Sequence, residues 1–250
     1  HALDQYLHKL LESGYKVAIC EQIEDPKDAK GIVKREVVEV VTPGTSLSDN
    51  FLNQNENNYL ASLVIEKNLA SISLLDFSTG EFFGLSVNIK DLENIIYQYN
   101  IKEIIIPEST LRNVKKLKIN KSILITGVPN WYLDSNIASD YLKAHFKIHN
   151  FKGFGISNDS SLIKSAAFGL DYVNQNYKGK TSHIISYKKI EDSEYLALDS
   201  YTLNNLEVFS PINHENKNAT LINTIDQTST AIGSRMLRKW IRKPLTNIDK

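Results

Sequence analysis

Between Tyr59 and Val87 the chain reads YLASLVIEKNLASISLLDFSTGEFFGLSV, and three β-rich runs stand out in it: Tyr59–Glu66, Ala70–Asp76 and Glu81–Val87. The gaps between them contain Asn68 and Ser78-Thr79-Gly80. Gaps this short and this rich in turn formers predict hairpins, so the runs are expected to pair as antiparallel neighbours. Downstream, Leu92, Ile95, Ile96 and Tyr99 recur at helical spacing. Glu103–Ile106 is a short apolar strand ended by Pro107, and Ser122–Thr126 is a further strand after a basic helical stretch. Two helices follow, over residues 135–146 and 159–178. Helices and strands that alternate after an antiparallel opening predict an α/β layer fold with a mixed sheet.

That opening order is the order of ribonuclease-H-like folds, a statement about architecture rather than activity. Upstream, Leu3, Leu7, Leu10 and Leu11 share one helical face, and Gly14 stands at a C-terminal cap position. Lys16–Gln22 and Lys34–Thr42 read as strands, Pro43-Gly44 marks an abrupt turn, and the polar residues 46–58 read as a linker. This first piece, about 45 residues, is too small for an independent core and is read as the end of a partial α/β domain. On the other side, a strand at His183–Tyr187 leads to Tyr195–Asp199 and a helix at Tyr201–Phe209. Residues 219–241 are helical without a strand signal, so an all-α region is expected from about residue 190.

The 250 residues carry 29 basic and 29 acidic groups, with 42% apolar and 23% charged residues, a globular balance that excludes general disorder. No run approaches the roughly 18 apolar residues of a membrane span. Cys20 is the sole cysteine, so neither an internal disulfide framework nor a Cys-based zinc site is available, and a reducing, cytoplasmic setting is expected. The chain opens His1-Ala2-Leu3 without a methionine, inside a predicted helix, and is read as a piece of a longer protein. Its charge is unevenly placed: residues 230–250 hold six basic groups and one acid.

Several motifs invite a chemical reading. Gly179-Lys180-Thr181 has the tail of a phosphate-binding loop, but that loop needs a glycine where Asn174 stands, and here a helix precedes it and a strand follows. Gly179 is read instead as a helix-closing residue. His145 and His149 are four apart, as metal ligands on a helix can be, but they lack an accompanying Cys or an interposed Glu and are read as structural or exposed. Asp76 would be the first carboxylate of a metal-dependent nuclease on such a sheet. It is read instead as opening the turn to Gly80, while Glu81, Asp91, Glu93, Glu103 and Glu108 are read mostly as cap or helix-surface groups.

Three charged surfaces remain. Arg112, Lys115, Lys116, Lys118 and Lys121 form a basic run read as a solvated face. In the last helix Ile232, Met236, Leu237, Trp240 and Ile241 gather on one side, with Arg235, Arg238, Lys239 and Arg242 opposite. The basic stripe can follow a phosphate backbone or meet acidic groups such as those of residues 191–226, and the contact within the molecule is favoured. On the helix 159–178, Lys164, Asp171, Gln175 and Lys178 share the face opposite the apolar one and are read as an exposed polar surface available to a partner.

Taken in order, further stretches carry a resemblance. They are HALDQYL at 1–7, GYKVAICEQ at 14–22, Glu24-Asp25-Pro26-Lys27, Lys30-Gly31, VKREVV at 33–38 and VTPGT at 41–45. Far downstream come Gly153-Phe154-Gly155, Leu198-Asp199 with Asn204-Asn205-Leu206-Glu207, and GSRMLRKWIRKPL at 233–245. This set resembles the MutS family of bacterial DNA mismatch-repair proteins. The resemblance implies that residues 1–48 end a mismatch-recognition domain, 52–182 form a ribonuclease-H-like connector domain without catalytic acids, and 190–250 open a helical core or lever domain.

It also implies a parent protein that recognises mispaired or looped-out bases in double-stranded DNA, acts as a homodimer with MutL as partner, and uses ATP and magnesium in a DNA-dependent ATPase. That setting is the bacterial cytosol at the nucleoid, with no membrane. The family's base-stacking Phe-x-Glu motif and its phosphate loop have no match in this chain, so no catalytic, nucleotide-binding or metal-binding residue is carried over, and no cofactor of its own is expected. Lys34 and Arg35 join Arg235, Arg238, Lys239 and Arg242 as candidate DNA or inter-domain contacts. The competing expectations are a metal-dependent nuclease and a plain basic DNA-binding module.

Overall fold

A computed structural model describes residues 2–25, 31–47, 54–111, 123–130, 134–191, 195–196, 198–213 and 219–247. The basic run 112–121 therefore lies outside the described residues. Helix α1 (Ala2–Glu12) packs on an antiparallel pair, β1 (Val17–Gln22) and β2 (Arg35–Val41). Leu7 and Leu11 are buried against Ile19 and Val41, whereas Leu3 and Leu10 stay exposed, because two strands cover only half of the apolar face.

The central sheet is built from β3 (Tyr59–Glu66), β4 (Leu69–Asp76), β5 (Glu81–Asn88), β6 (Glu103–Pro107), β7 (Leu124–Val128) and the two-residue β8 (Lys188–Lys189). Its order is β7-β6-β3-β4-β5-β8. The β3–β4 and β4–β5 pairs are antiparallel, as the hairpin gaps require, while β6 joins β3, β7 joins β6 and β8 joins β5 in parallel. The sheet is thus mixed, and the chain is α/β.

Both faces of the sheet are covered, which is why its strands are apolar almost throughout rather than alternating. On one face Ala61, Leu63, Leu74 and Ile104 meet Leu92, Ile95 and Ile96 of helix α2 (Leu92–Gln98). On the other, Leu60, Leu75, Phe82 and Ile105 meet α3 (Ser135–Phe146) and α4 (Ser160–Asn176) through Leu142, Leu162, Ala166 and Leu170. Asp134 and Asp159 cap these two helices by accepting backbone N–H bonds of the first turn.

Helix α4 approaches the sheet closely because its contact face carries Gly169, where a Cβ would lie 2.7 Å from Ser62 Oγ. Ser62 Oγ donates to Ser165 O at 2.6 Å, and Ser73 Oγ bonds both Ser165 Oγ (2.7 Å) and Tyr187 OH (2.8 Å). The buried hydroxyls at this crossing therefore satisfy one another.

Past α4 the sequence reading needs correction. Residues 183–187 form no strand: Ile184 and Tyr187 are both buried, a spacing of three that strand alternation cannot give, and only Lys188–Lys189 pair with Phe83–Gly84. Tyr187 fits because Gly84 leaves room for its hydroxyl. Helix α5 (Ser200–Asn205) ends short of Phe209, and the helical stretch expected over 219–241 is two helices, α6 (Leu221–Ile225) and α7 (Ala231–Arg242). Thr220 and Thr230 each cap their own helix by accepting a backbone N–H, so the break after Ile225 is written as a second N-terminus.

Candidate functional site: two junctions on the central sheet

The first junction seats the Thr42–Thr45 turn on the sheet. Glu103, at the start of β6, is fully buried, not a surface or cap group as its sequence context suggested. Its Oε2 accepts from Gly44 N–H (3.2 Å), and its Oε1 accepts from Tyr172 OH (2.7 Å) and Thr126 Oγ1 (3.3 Å). Tyr177 OH donates to Thr45 O at 2.5 Å, and Asn58 Nδ2 donates to Pro43 O at 2.9 Å. Gly44 is needed for contact, since a Cβ there would stand 2.8 Å from Glu103 Cβ.

Burial and the neighbouring Glu103 carboxylate hold the Tyr172 phenol far above the usual tyrosine range. Burial lowers the Lys16 ammonium, against the pull of Glu103, where it stands 5.2 Å from the Tyr172 ring centre. Four segments of the chain thus converge on one carboxylate supplied with neutral donors.

The second junction is α7. Its basic face points inward onto the sheet, and its apolar side points out: Ile232 is 71% and Trp240 65% exposed. Arg238 Nη1 pairs with Glu56 Oε1 at 3.2 Å, Lys239 pairs with Glu81, and Arg235 Nη1 donates to Gln54 O at 2.7 Å. Arg242 and Gln98 bond each other's carbonyls, Arg242 Nη1 to Gln98 O at 3.1 Å and Gln98 Nε2 to Arg242 O at 3.0 Å. The cations also lie on ring faces, Arg242 over Phe209 (4.2 Å), Lys239 over Phe83 (5.6 Å) and Lys243 over Tyr99 (4.8 Å).

Long basic side chains can cover apolar rings with their stems while their heads reach polar groups, which is how a basic face becomes a packing face. The acids paired with α7 are Glu56 and Glu81 rather than any in residues 191–226. Glu81 also accepts from Tyr59 OH at 2.7 Å, so burial and this carboxylate keep that phenol well above its ordinary range.

The remaining candidates separate. Lys34 and Arg35 sit at the β2 end of the two-stranded sheet, with Lys34 paired to Glu36 at 3.2 Å, and they take no part in the α7 contacts. Gln175 on α4 and Lys178 just past its end are exposed, but Asp171 is buried and Lys164 is half-buried, paired with Glu66 at 3.2 Å. The flank of α4 is covered more deeply than its polar residues implied. Burial raises the Asp171 carboxyl, against the hydrogen bond from Gln175.

Asp76 opens its turn as read: Oδ1 accepts from Ser78 N–H (3.0 Å), Ser78 Oγ (2.6 Å) and Thr79 N–H (3.3 Å), and Oδ2 from Asn57 Nδ2 (2.8 Å). Among the described residues no three His, Cys, Asp or Glu side chains gather as metal ligands. His145 Nε2 bonds Ile184 O at 2.9 Å, and the helix ends at Phe146, before His149. Lys178 and Gly179 both take positive φ to close α4, with Gly179 N–H on Asn174 O, so Gly179-Lys180-Thr181 does not fit a nucleotide phosphate.

Glu103, Glu56 and Tyr172 are the residues the sequence reading missed. The one available signal was a glutamate opening the apolar strand EIIIP, a position with no helix surface to occupy.

Comparison with known proteins agrees with this layout. Families described as MutS domain I, MutS domain II and MutS domain III match residues 1–50, 58–185 and 201–250. The DNA mismatch repair protein MutS of Parabacteroides distasonis is 38% identical over 248 residues, covering 99% of this chain. The MutS proteins of Lachnoclostridium phytofermentans and Methanococcoides burtonii are each 37% identical across the whole chain. This chain spans 28%, 27% and 29% of the lengths of these three relatives. With the domain II match alone covering more than half of its residues and the flanking domains matching in the same order, the chain belongs to the MutS family.

Proposed function

We propose that this chain is the mechanical middle of a DNA mismatch-repair protein. It relays position between a mismatch-reading domain that ends at the Thr42–Thr45 turn and a helical lever that begins beyond residue 190, and through the lever to an ATPase. The observation that carries the reading is that the central sheet is gripped on one side by Glu103 and on the other by α7. A kinked mispair is read by its low bending cost, and ATP binding biases the same conformational equilibrium from elsewhere, so an element held at both ends can pass one state to the other. In this reading ATP and magnesium belong to the parent protein, and the exposed apolar side of α7 faces the rest of the lever.

The inward turn of Arg235, Arg238, Lys239 and Arg242 counts against a plain DNA-binding module. The commitment of Asp76 to its own turn counts against a nuclease. We place the MutL-facing surface at the exposed end of α4, at Gln175 and Lys178, with Lys164 and Asp171 shaping its flank.

The test uses the parent protein with Arg238→Glu. Mismatch binding is expected to persist while ATP-induced release from the mismatch slows several-fold. Unchanged release would overturn the relay, as would selective heteroduplex binding or ATP turnover by the 250-residue chain alone.

A further inference from the structure

Residues 54–58, polar enough to read as linker, touch both junctions. Arg235 Nη1 donates to Gln54 O, and Arg238 pairs with Glu56, which also accepts from Asn100 Nδ2 at 3.1 Å. Two residues on, Asn58 Nδ2 donates to Pro43 O, beside the Gly44 N–H that Glu103 holds. A chain of that length keeps the Cα atoms of Glu56 and Asn58 within about 7 Å of each other. A displacement of one is therefore felt by the other unless a point between them is fixed.

Asp76, fully buried at the end of β4, supplies that fixed point. Its Oδ2 accepts from Asn57 Nδ2 at 2.8 Å and from Asn58 N–H at 3.3 Å, while Oδ1 serves the Ser78–Thr79 turn. A second observation concerns charge. Asp76 stands directly opposite Glu81 in the β4–β5 register, where like charges disfavour pairing. Asn57 Nδ2 also reaches Glu81 Oε2 at 3.3 Å, and Oε1 of Glu81 takes Lys239 of α7. An amide shared by the two carboxylates offsets their repulsion, which ties Asn57 to this one place.

We propose that Asp76 is a positioning residue that pins the 54–58 strap, so that the strap serves both junctions while a loosening of α7 stops short of the Thr42–Thr45 turn. Asp76 lies out of water and its strap donors are neutral, so added salt leaves the pin in place. The pairs of Glu56 and Glu81 with α7 are partly exposed and are screened. Without the pin the strap hangs between α7 and the turn, and salt that frees one end frees the other. The inference concerns contacts inside this chain and does not rest on the relay reading, since neither DNA nor ATP enters its test.

The experiment follows hydrogen–deuterium exchange of the 250-residue chain in 0.05 M and 1 M NaCl. In the unaltered chain the Gly44 and Thr45 amides should exchange equally at both. In Asp76→Asn, which replaces one of the two acceptor oxygens by a donor, they should exchange several-fold faster in 1 M NaCl than in 0.05 M. A fold weakened only by a buried substitution would speed them alike at both, so salt dependence is the readout that a structural role does not move. Asn57→Ala keeps Asp76 and its turn and should show the same salt dependence. Ser78→Ala removes a donor from Oδ1 alone; it should speed exchange at Ser78–Gly80 and leave Gly44 and Thr45 indifferent to salt.

Salt-dependent exchange of the turn in either strap variant supports the pin. Exchange indifferent to salt in both would overturn it, as would salt dependence already present in the unaltered or the Ser78→Ala chain. Should Asp76→Asn fail to fold, Asn57→Ala decides alone.

Discussion

At the Thr42–Thr45 turn one carboxylate, Glu103, lies entirely out of water and receives three uncharged donors, whereas along α7 the cations meet Glu56 and Glu81, which keep 28% and 31% of their side-chain exposure. The first arrangement depends on geometry. Its hydrogen bonds are short of alternatives, and removing the acceptor leaves donors unpaired in the interior. The second depends on charge in partial contact with solvent, where salt screens the attraction and each pair contributes little. The same sheet therefore holds the Thr42–Thr45 turn firmly and α7 loosely.

The harshest way to break this comparison is to remove the buried acceptor. Glu103→Ala strands Gly44 N–H, Tyr172 OH and Thr126 Oγ1, and is expected to cost about 3 kcal/mol, read as a lowered urea midpoint. Gly44→Ala keeps the acceptor but forces a Cβ against Glu103 and the Leu60 backbone, for about 2 kcal/mol. Arg238→Ala at the other junction should cost only about 1 kcal/mol at low salt and less in 1 M NaCl, while the Glu103→Ala penalty stays constant. A salt-dependent Glu103 effect would erase the distinction.

The smallest effect at neutral pH is proton-linked. Burial pushes the Tyr177 phenol, which donates to Thr45 O, up to about 12. The unfolded phenol ionises near 10, so the contribution of the protonated form is complete below pH 10 and is lost as pH rises from 10 toward 12. Thermal scans between pH 9 and 11.5 should show stability falling above pH 10, with a shallower fall in Tyr177→Phe. Equal slopes in the two proteins would remove Tyr177 from the account.

Much of the fold was legible because its decisive elements announce themselves locally. The hairpin gaps at Asn68 and Ser78–Gly80 fixed three strands, and the apolar run EIIIP fixed a fourth. The region after α4 was misread because Ile184 and Tyr187 are apolar for tertiary reasons, one in the core and one under Gly84, which a local β pattern imitates. The site was legible by half. The two-sided character of α7 was plain, but which side would face inward was not, since amphipathicity alone favours the apolar side. Glu103 was hidden because a lone glutamate carries no spacing signature, and its partners lie 23, 59 and 69 residues away in the chain.

Hydrogen–deuterium exchange at low and high salt tests the asymmetry most directly. In 1 M NaCl the backbone amides of α7 should exchange at least several-fold faster than in 0.05 M NaCl, while the amides of Gly44 and Thr45 keep their rates. Equal acceleration at both junctions, or none at α7, would contradict the picture of one fixed and one releasable grip.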